Sequence, residues 1–368
     1  MALRELAEER VAIELLVPRP EFSYRPLAVA EPFGLGEGSS FDLEPIAGDH
    51  GASLRIGTLS SVDVERAEVS TTQGNVLPYD LLVVAVGAKL EHPFPDSVMI
   101  MGPGYTGQFR QVLEELRQGS LKRVAFAVPS GASWPLPLYE LALMTAALVA
   151  EEELDGVELK LITPEDAPLD LFGAEASHEV RALLAERGIE LRTGAYPTGV
   201  ADGALEVRPV QDGAVPADRV VTLPRLVGPR VSGLPQDRDG FIPTDEHCQV
   251  RGADGVYAAG DATAWSVKQG GLASQQADAA AEAIAARVGA PVEAAPYRPV
   301  LRGMLLTGSA PRYLRSEVSG GRGPDEVSQH ALWWPPSKVV GRRLAPYLAA
   351  HAGLAEPPGP GRSVELPL

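Results

Sequence analysis

Residues 255–261, Gly-Val-Tyr-Ala-Ala-Gly-Asp, followed by Ala262 and Thr263, decide how this chain is read. Val256 to Ala259 form an apolar run of the length of one buried strand. Gly260 follows, where no side chain blocks the approach of another backbone, and then Asp261. A carboxylate at the carboxyl end of a buried strand stands where open α/β sheets bind their ligands. It is costly to bury there without a hydrogen-bond donor. A ribose or ribityl hydroxyl is such a donor, and the start of the next helix offers N–H groups to a phosphate. The plainer alternative is an Asp that caps the helix after it.

A second stretch, Tyr79 to Ala88 (YDLLVVAVGA), repeats the pattern: an apolar strand, Leu81 to Val86, ending on Gly87. Tyr24 to Val29 (YRPLAV) and Lys268 to Asp278 (KQGGLASQQAD) complete the set. Together these stretches resemble the FAD-dependent pyridine nucleotide-disulfide oxidoreductases, flavoproteins with two dinucleotide-binding domains. They look most like the branch that holds sulfide:quinone reductases, flavocytochrome sulfide dehydrogenases and type 2 NADH dehydrogenases. The resemblance covers roughly residues 1–310. It implies an α/β fold of two Rossmann-like (FAD/NAD(P)-binding) domains. The first would be discontinuous, over 1–118 and 236–295, the second would span 119–235, and a small C-terminal region would span 296–368.

The resemblance also implies FAD as cofactor, with contacts from Tyr24, Arg25, Pro26, Leu59, Ala85, Val86, Gly87, Gly260, Asp261, Lys268, Gly270 and Gln275. Arg25 would pair with phosphate, or is a solvated loop arginine. The backbone near Leu59 would meet the adenine. Residues 264–271 would pass under the isoalloxazine. There Lys268, or the N-terminus of a helix predicted over Ala273 to Val288, would stabilise negative charge on the reduced ring. The alternative for Lys268 is a solvated loop lysine.

Composition narrows the function classes. The length of 368 residues suits two or three domains. A net charge of −17 is the opposite of a nucleic-acid surface, which needs clustered cations. It also disfavours general adsorption to anionic lipid, although a local basic patch is compatible with it. The single cysteine, Cys248, leaves no intramolecular disulfide and no CxxC redox pair. The six histidines show no metal-ligand spacing. There is no apolar run of about 18 residues, and MALRELAEER lacks the apolar core of a signal peptide. The expectation is a cytoplasmic protein, at most peripheral at the inner membrane face.

At the start of the chain, Leu3, Leu6 and Ala7 share a helical face, and Val11 to Val17 reads as a strand. The chain thus enters a Rossmann unit at its second strand. The first strand and the GxGxxG turn, whose backbone N–H groups would meet a pyrophosphate, are not in these residues. The expectation is that about 20 further residues, a strand, a turn and half a helix, precede Met1. The other reading is a truncated chain with impaired flavin binding. Val17 stands where an acid would hold the adenosine ribose. Further strands are predicted over Leu54 to Thr58 and Ala67 to Thr71, a hairpin at Gly74-Asn75, and a helix from Tyr105 to Gln118.

A second α/β unit follows: a strand over Val124 to Val128, a turn, a long helix with Pro137 near its start, and a strand over Val157 to Ile162. The turn reads Pro129-Ser130-Gly131-Ala132-Ser133-Trp134-Pro135, with one glycine and a bulky indole. Thr163 stands at the ribose-acid position, and both features argue against NAD(P). In similar sulfide:quinone reductases this turn carries a catalytic cysteine; Ser133 and Trp134 stand there here, and serine forms no persulfide. Cys248, on a predicted strand, reads as a small core residue.

The C-terminal region offers strands over Tyr297 to Thr307, a loop over Arg315 to Glu326, and a disordered tail after Pro357. Between loop and tail, HALWWPPSKVVGRRLAPYLAAHAG reads as a helix with Lys338, Arg342 and Arg343 and an apolar face of Val339, Val340, Leu344 and Leu348. Similar quinone reductases dock such helices on membranes, and tryptophans beside cations suit an interface. A helix closing the flavin domain, or a homodimer contact, fits the same pattern. The implied function is electron transfer from a small-molecule donor through FAD to an acceptor such as a quinone. The rival is a non-catalytic paralogue that serves as a binding or regulatory protein.

Overall fold

The computed structural model describes residues 1–36, 38–101, 104–209, 213–317 and 325–351. Most of the loop expected over 315–326, and the tail beyond Pro357, lie outside the described residues.

Helix α1 (Ala2–Ala7) buries Ala7 and leads into β1 (Ile13–Val17). The hairpin β2 (Glu21–Tyr24) and β3 (Ser39–Asp42) follows, then α2 (Leu43–Asp49), whose first turn is capped by the Asp42 carboxylate, and β4 (Ala52–Ile56). β1 and β4 pair in parallel, with Ile13 opposite Ala52. β5 (Leu59–Asp63), β6 (Glu68–Thr71) and β7 (Val76–Pro78) form an antiparallel sheet, turning at Gly74-Asn75 as expected. Next come β8 (Leu82–Val84), β9 (Lys89–Glu91), β10 (Val98–Met99) and α3 (Tyr105–Arg117).

The second unit contains β11 (Arg123–Ala127), α4 (Leu136–Glu151), β12 (Glu158–Ile162), α5 (Ala174–Glu186) and β13 (Ile189–Arg192). A small antiparallel sheet, β14 (Tyr196–Ala201), β15 (Ala204–Arg208) and β16 (Val215–Pro216), precedes β17 (Arg219–Thr222). The main sheet is parallel, in the order β10-β17-β11-β12-β13. The chain steps outward from β11 to β13 and returns to the other side of β11 with β17. The reversal of order is therefore between β11 and β17, where the turn 129–135 emerges. Phe109, Leu113, Phe126, Leu141 and Leu161 share the largest buried core, so α3 and α4 both cover this sheet.

The chain returns through β18 (Arg225–Val227), which pairs with β9, and reaches β19 (Val256–Ala258). β19 lies parallel to β8, Val256 opposite Leu82 and Ala258 opposite Val84. The two stretches that carried the sequence reading are thus neighbours in one sheet. Helix α6 (Gly270–Arg287) follows, then the antiparallel strands β20 (Val300–Leu305), β21 (Arg312–Glu317) and β22 (Glu326–Ser328), and α7 (Leu344–His351). Among the described residues, β1 pairs only with β4 and β8 only with β19. Val83 on β8 is 39% exposed, unusual for parallel strands, which are ordinarily covered on both faces; Val86, just beyond the strand, is 49% exposed.

Two expectations are corrected. Cys248 lies in a turn with left-handed backbone (φ 62°), not on a strand; it is buried, as expected. The C-terminal helix begins only at Leu344, and residues 331–343 run as turns and bends. Pro335 and Pro336 supply no N–H to a helical ladder, and the residue before each is steered away from helical dihedrals.

Candidate functional site

The site is built at the carboxyl ends of β8 and β19. β19 is short and wholly buried, and Gly260 ends it with a left-handed φ of 76°. A Cβ there would sit 3.3 Å from Ala273 Cβ, so the turn packs tightly on α6. Gln276, buried on α6, fixes that turn: its Oε1 accepts from Gly260 N at 2.7 Å, and its Nε2 donates to Thr263 Oγ1 at 3.3 Å. Thr263 Oγ1 in turn donates to Gly260 O at 2.9 Å.

Asp261 is held inside this turn. Among the described residues nothing donates a hydrogen bond to its carboxylate, and desolvation pushes its pKa up while nearby Lys268 pulls it down. It does not cap the next helix: α6 starts at Gly270, and Gln269 caps it by accepting from Leu272 N at 2.9 Å. The capping alternative is removed, and a half-buried carboxylate with no donor among the described residues remains. Lys268 is buried rather than solvated. Its Nζ donates to Thr263 O and lies 3.9 Å from the centre of the Phe241 ring.

The other sequence-derived positions fall as follows. Ala85 and Val86 are exposed at the end of β8, and Gly87 follows with φ 74°. Gly270 is the first residue of α6, three positions before the predicted start. Gln275 is engaged elsewhere: its amide exchanges two 2.9 Å hydrogen bonds with the Val300 backbone, tying α6 to β20. Tyr24 is half-buried, and its hydroxyl accepts from Val339 N at 3.4 Å. Arg25 is exposed, Pro26 is half-buried beside it, and Leu59 packs on the core that contains Val84 and Val256.

A second polar centre was missed from the sequence. Glu140 on α4 is fully buried, and Lys338 Nζ donates to its Oε2 at 2.6 Å. Leu306 N donates to Oε1 at 2.9 Å. Burial pushes the Glu140 carboxyl up and the Lys338 ammonium down, each opposed by its partner. Residues 338–340 lie across the start of α6: a Cβ on Gly270 would approach Val339 Cγ2 to 2.9 Å. The ion pair therefore adjoins the same helix N-terminus as Asp261. One signal was available: Glu140 is the one charged residue in the apolar run from Leu136 to Ala150. Arg343 pairs with Asp278 at 2.8 Å and with Glu5 at 2.6 Å. Two of the three cations expected on a membrane-facing helix thus meet carboxylates of this chain. No helix among the described residues is long and apolar enough to cross a membrane.

A third buried carboxylate, Glu165, follows β12. Its Oε2 accepts from Tyr139 Oη and Thr163 Oγ1, both at 2.7 Å, while its Oε1 is buried without a partner. Desolvation raises its pKa to about 7. Trp134, in the neighbouring turn, packs edge-on against Phe172.

Two parallel-strand units with helices on the sheets, and a carboxylate at the carboxyl end of β19, define the class: an α/β fold of two Rossmann-like units. The profile of the pyridine nucleotide-disulphide oxidoreductase family matches residues 139–284, a likeness that agrees with the sequence resemblance. An external alternative NAD(P)H-ubiquinone oxidoreductase of Arabidopsis thaliana mitochondria is 22% identical over 289 residues, 68% of this chain and 50% of that protein. The chain spans about half the length of the curated relatives it matches. Among solved structures, the sulfide:quinone oxidoreductase of Aquifex aeolicus superposes with a TM-score of 0.78 at 19% identity, covering 89% of this chain and 83% of that one. NDH2 of Plasmodium falciparum in complex with NADH gives 0.57 at 15% identity, covering 71% and 61%. The sequence-based argument against NAD(P) gains no support, because fold neighbours include a protein that binds NADH.

The residues present fit part of a flavin nucleotide. Asp261 offers an unpaired acceptor, and Gly260 and α6 bring backbone close to it. Among the described residues no glycine-rich turn lies beside β1 or β8, so the pyrophosphate contacts are not assigned.

Proposed function

We propose that the chain is an FAD-dependent oxidoreductase that passes electrons from a small donor to an acceptor such as a quinone. The observation that carries this reading is Asp261, a half-buried carboxylate with no donor among the described residues, beside the N-terminus of an 18-residue helix. Flavin, when bound, supplies the two-electron chemistry. The chain's residues supply binding and charge. Asp261 accepts from ligand hydroxyls, and Gln276 holds its turn in place. The start of α6 favours negative charge nearby. Glu140 and Lys338 keep a proton and its counter-charge beside that helix start. Tyr24, Arg25, Pro26, Leu59 and the 85–87 turn are assigned to the same cofactor by resemblance.

A second reading has its own support: Trp134 packs in the turn of the second unit, and Val83 on β8 and Val86 just beyond it are exposed. Both suit a non-catalytic binding protein. The test is the visible spectrum of the purified chain after incubation with FAD and desalting. Retained flavin bands, bleached by NADH or sulfide and restored by a short-chain quinone, support the enzyme. A chain that retains no flavin under any of these conditions overturns that reading in favour of the binding protein.

A further inference from the structure

Helix α5, in the second unit, starts without a cap. Gly173 precedes it with a left-handed φ of 91°, and no side chain accepts from its first turn. Ser177 N donates to Gly173 O at 3.1 Å, but the N–H groups of Ala174, Glu175 and Ala176 meet no acceptor among the described residues. Ala176 is fully buried, so its N–H is withdrawn from solvent. Such groups are rare, because each keeps the full cost of its desolvation. A second unpartnered group stands next to it. Ser177 is 6% exposed, and its Oγ is buried with no hydrogen-bond partner. Thr145 on α4 and Ser274 on α6 bond back to the carbonyls of Leu141 and Gly270, at 2.7 and 3.1 Å, as helical hydroxyls commonly do. Ser177 does not. It lines a surface hollow of about 450 Å³, together with Asp170, Gly173, Ala174, His178 and Arg181.

We propose that this hollow is a phosphate site, filled by the phosphate group of a small hydroxylated monoester. Uncapped N–H groups and the helix dipole favour an anion at the start of α5. Arg181 adds a guanidinium, the side chain best shaped for phosphate oxygens. Glu179 on the same helix pairs with Arg312 at 2.7 Å, whereas Arg181 is exposed and forms no ion pair among the described residues. Ser177 Oγ and the His178 ring supply further donors. Two carboxylates adjoin the hollow and set the rest of the ligand. Asp170 lines it, and Asp325 Oδ2 takes the space that a Cβ on Gly173 would need, while its Oδ1 accepts from Ser316 Oγ at 2.7 Å. Neither caps the first turn. Both repel a bare anion and accept from hydroxyl groups, so an ester that carries hydroxyls beside its phosphate suits them better than free phosphate does. The hollow shares no residue with the site at β19 and α6, and this inference does not depend on the flavin reading.

Isothermal titration calorimetry of the full chain tests it, with glycerol 3-phosphate, inorganic phosphate and glycerol as probes and no flavin added. Glycerol 3-phosphate should bind and glycerol should not. Tighter binding of the ester than of inorganic phosphate identifies the ester as the ligand; equal affinities assign the site to free phosphate. Arg181→Gln and Ser177→Ala should each weaken binding at least about tenfold, the loss expected for a hydrogen bond to a charged group. Urea unfolding of ligand-free Ser177→Ala should be unchanged or shifted to higher urea, because the substitution removes an unpartnered hydroxyl; a serine that merely supports the fold would lose stability instead. Should Ser177→Ala fail to fold, Ser177→Cys, of similar size and a weaker donor, takes its place. The inference is overturned if neither phosphate compound binds, or if affinity survives Arg181→Gln. It is overturned equally if Arg181→Gln alone weakens binding, since that marks diffuse charge attraction rather than a built site.

Discussion

Replacing Glu165 by Gln should make the protein more stable above neutral pH and slightly less stable in acid. In the fold the carboxyl accepts from Tyr139 Oη and Thr163 Oγ1 on one oxygen, and the other oxygen is buried with no donor. Desolvation moves its pKa from the ordinary 4.5 to about 7. The folded protein therefore holds a proton that the unfolded chain releases. Linkage then gives the sign: the contribution is fully present below about pH 4.5, is lost as pH rises to about 7, and stays lost above it. At about 1.36 kcal/mol per pH unit, the loss is on the order of 3 kcal/mol. Glutamine keeps an acceptor for Tyr139 and Thr163 and cannot ionise. Its buried amide N–H groups inherit the unpartnered position, costing about 1 kcal/mol. The expected gain is thus about 2 kcal/mol above pH 7.5, with a small loss near pH 4.5. Urea unfolding followed by circular dichroism at half-unit steps from pH 4.5 to 8.5 measures it. Parallel stability curves for the parent and Glu165→Gln would refute the reasoning, because they would show that Glu165 titrates alike in both states.

Lys338→Met leaves Glu140 buried and uncompensated, and should cost about 3–5 kcal/mol near neutral pH. The cost should shrink as pH falls, since protonated Glu140 needs no counter-charge, and adding Glu140→Gln should recover much of it; a loss that ignores pH contradicts this account. Gln276→Ala strips the acceptor from Gly260 N, and thermal or urea unfolding should show a loss of about 1–3 kcal/mol. Cys248 is buried, and desolvation holds its thiol up at about 12. It should react with a disulfide reagent only as fast as the protein opens, and rapid labelling of the folded chain would show the thiol to be accessible.

The identity of the main elements was legible because their signals are local. Val256 to Ala258 is apolar and short, and Gly260 and Asp261 end it; β19 and the site carboxylate are where those residues put them. The Leu81–Val86 run, the helix from Tyr105 and the strand before Pro129 likewise carry their own periodicity and punctuation. Local signals also misled. The cation-and-tryptophan pattern after His330 suggested a long interfacial helix, but Pro335, Pro336 and Gly341 interrupt it, and Lys338 and Arg343 turn inward.

The sequence by itself thus determined most of the strands and helices up to α6, and that a carboxylate would end a buried strand. Both depend on backbone stereochemistry and on side chains a few residues apart. Only the tertiary structure decided which charges meet. Lys338 and Glu140 are 198 positions apart and yet 2.6 Å from contact to contact. Lys268, five residues beyond the carbonyl it bonds, is buried by a phenyl ring supplied from Phe241. Whether a charge is solvated or buried, and which partner offsets its desolvation, depends on distance through space. Linear spacing carries no such information until the chain has folded.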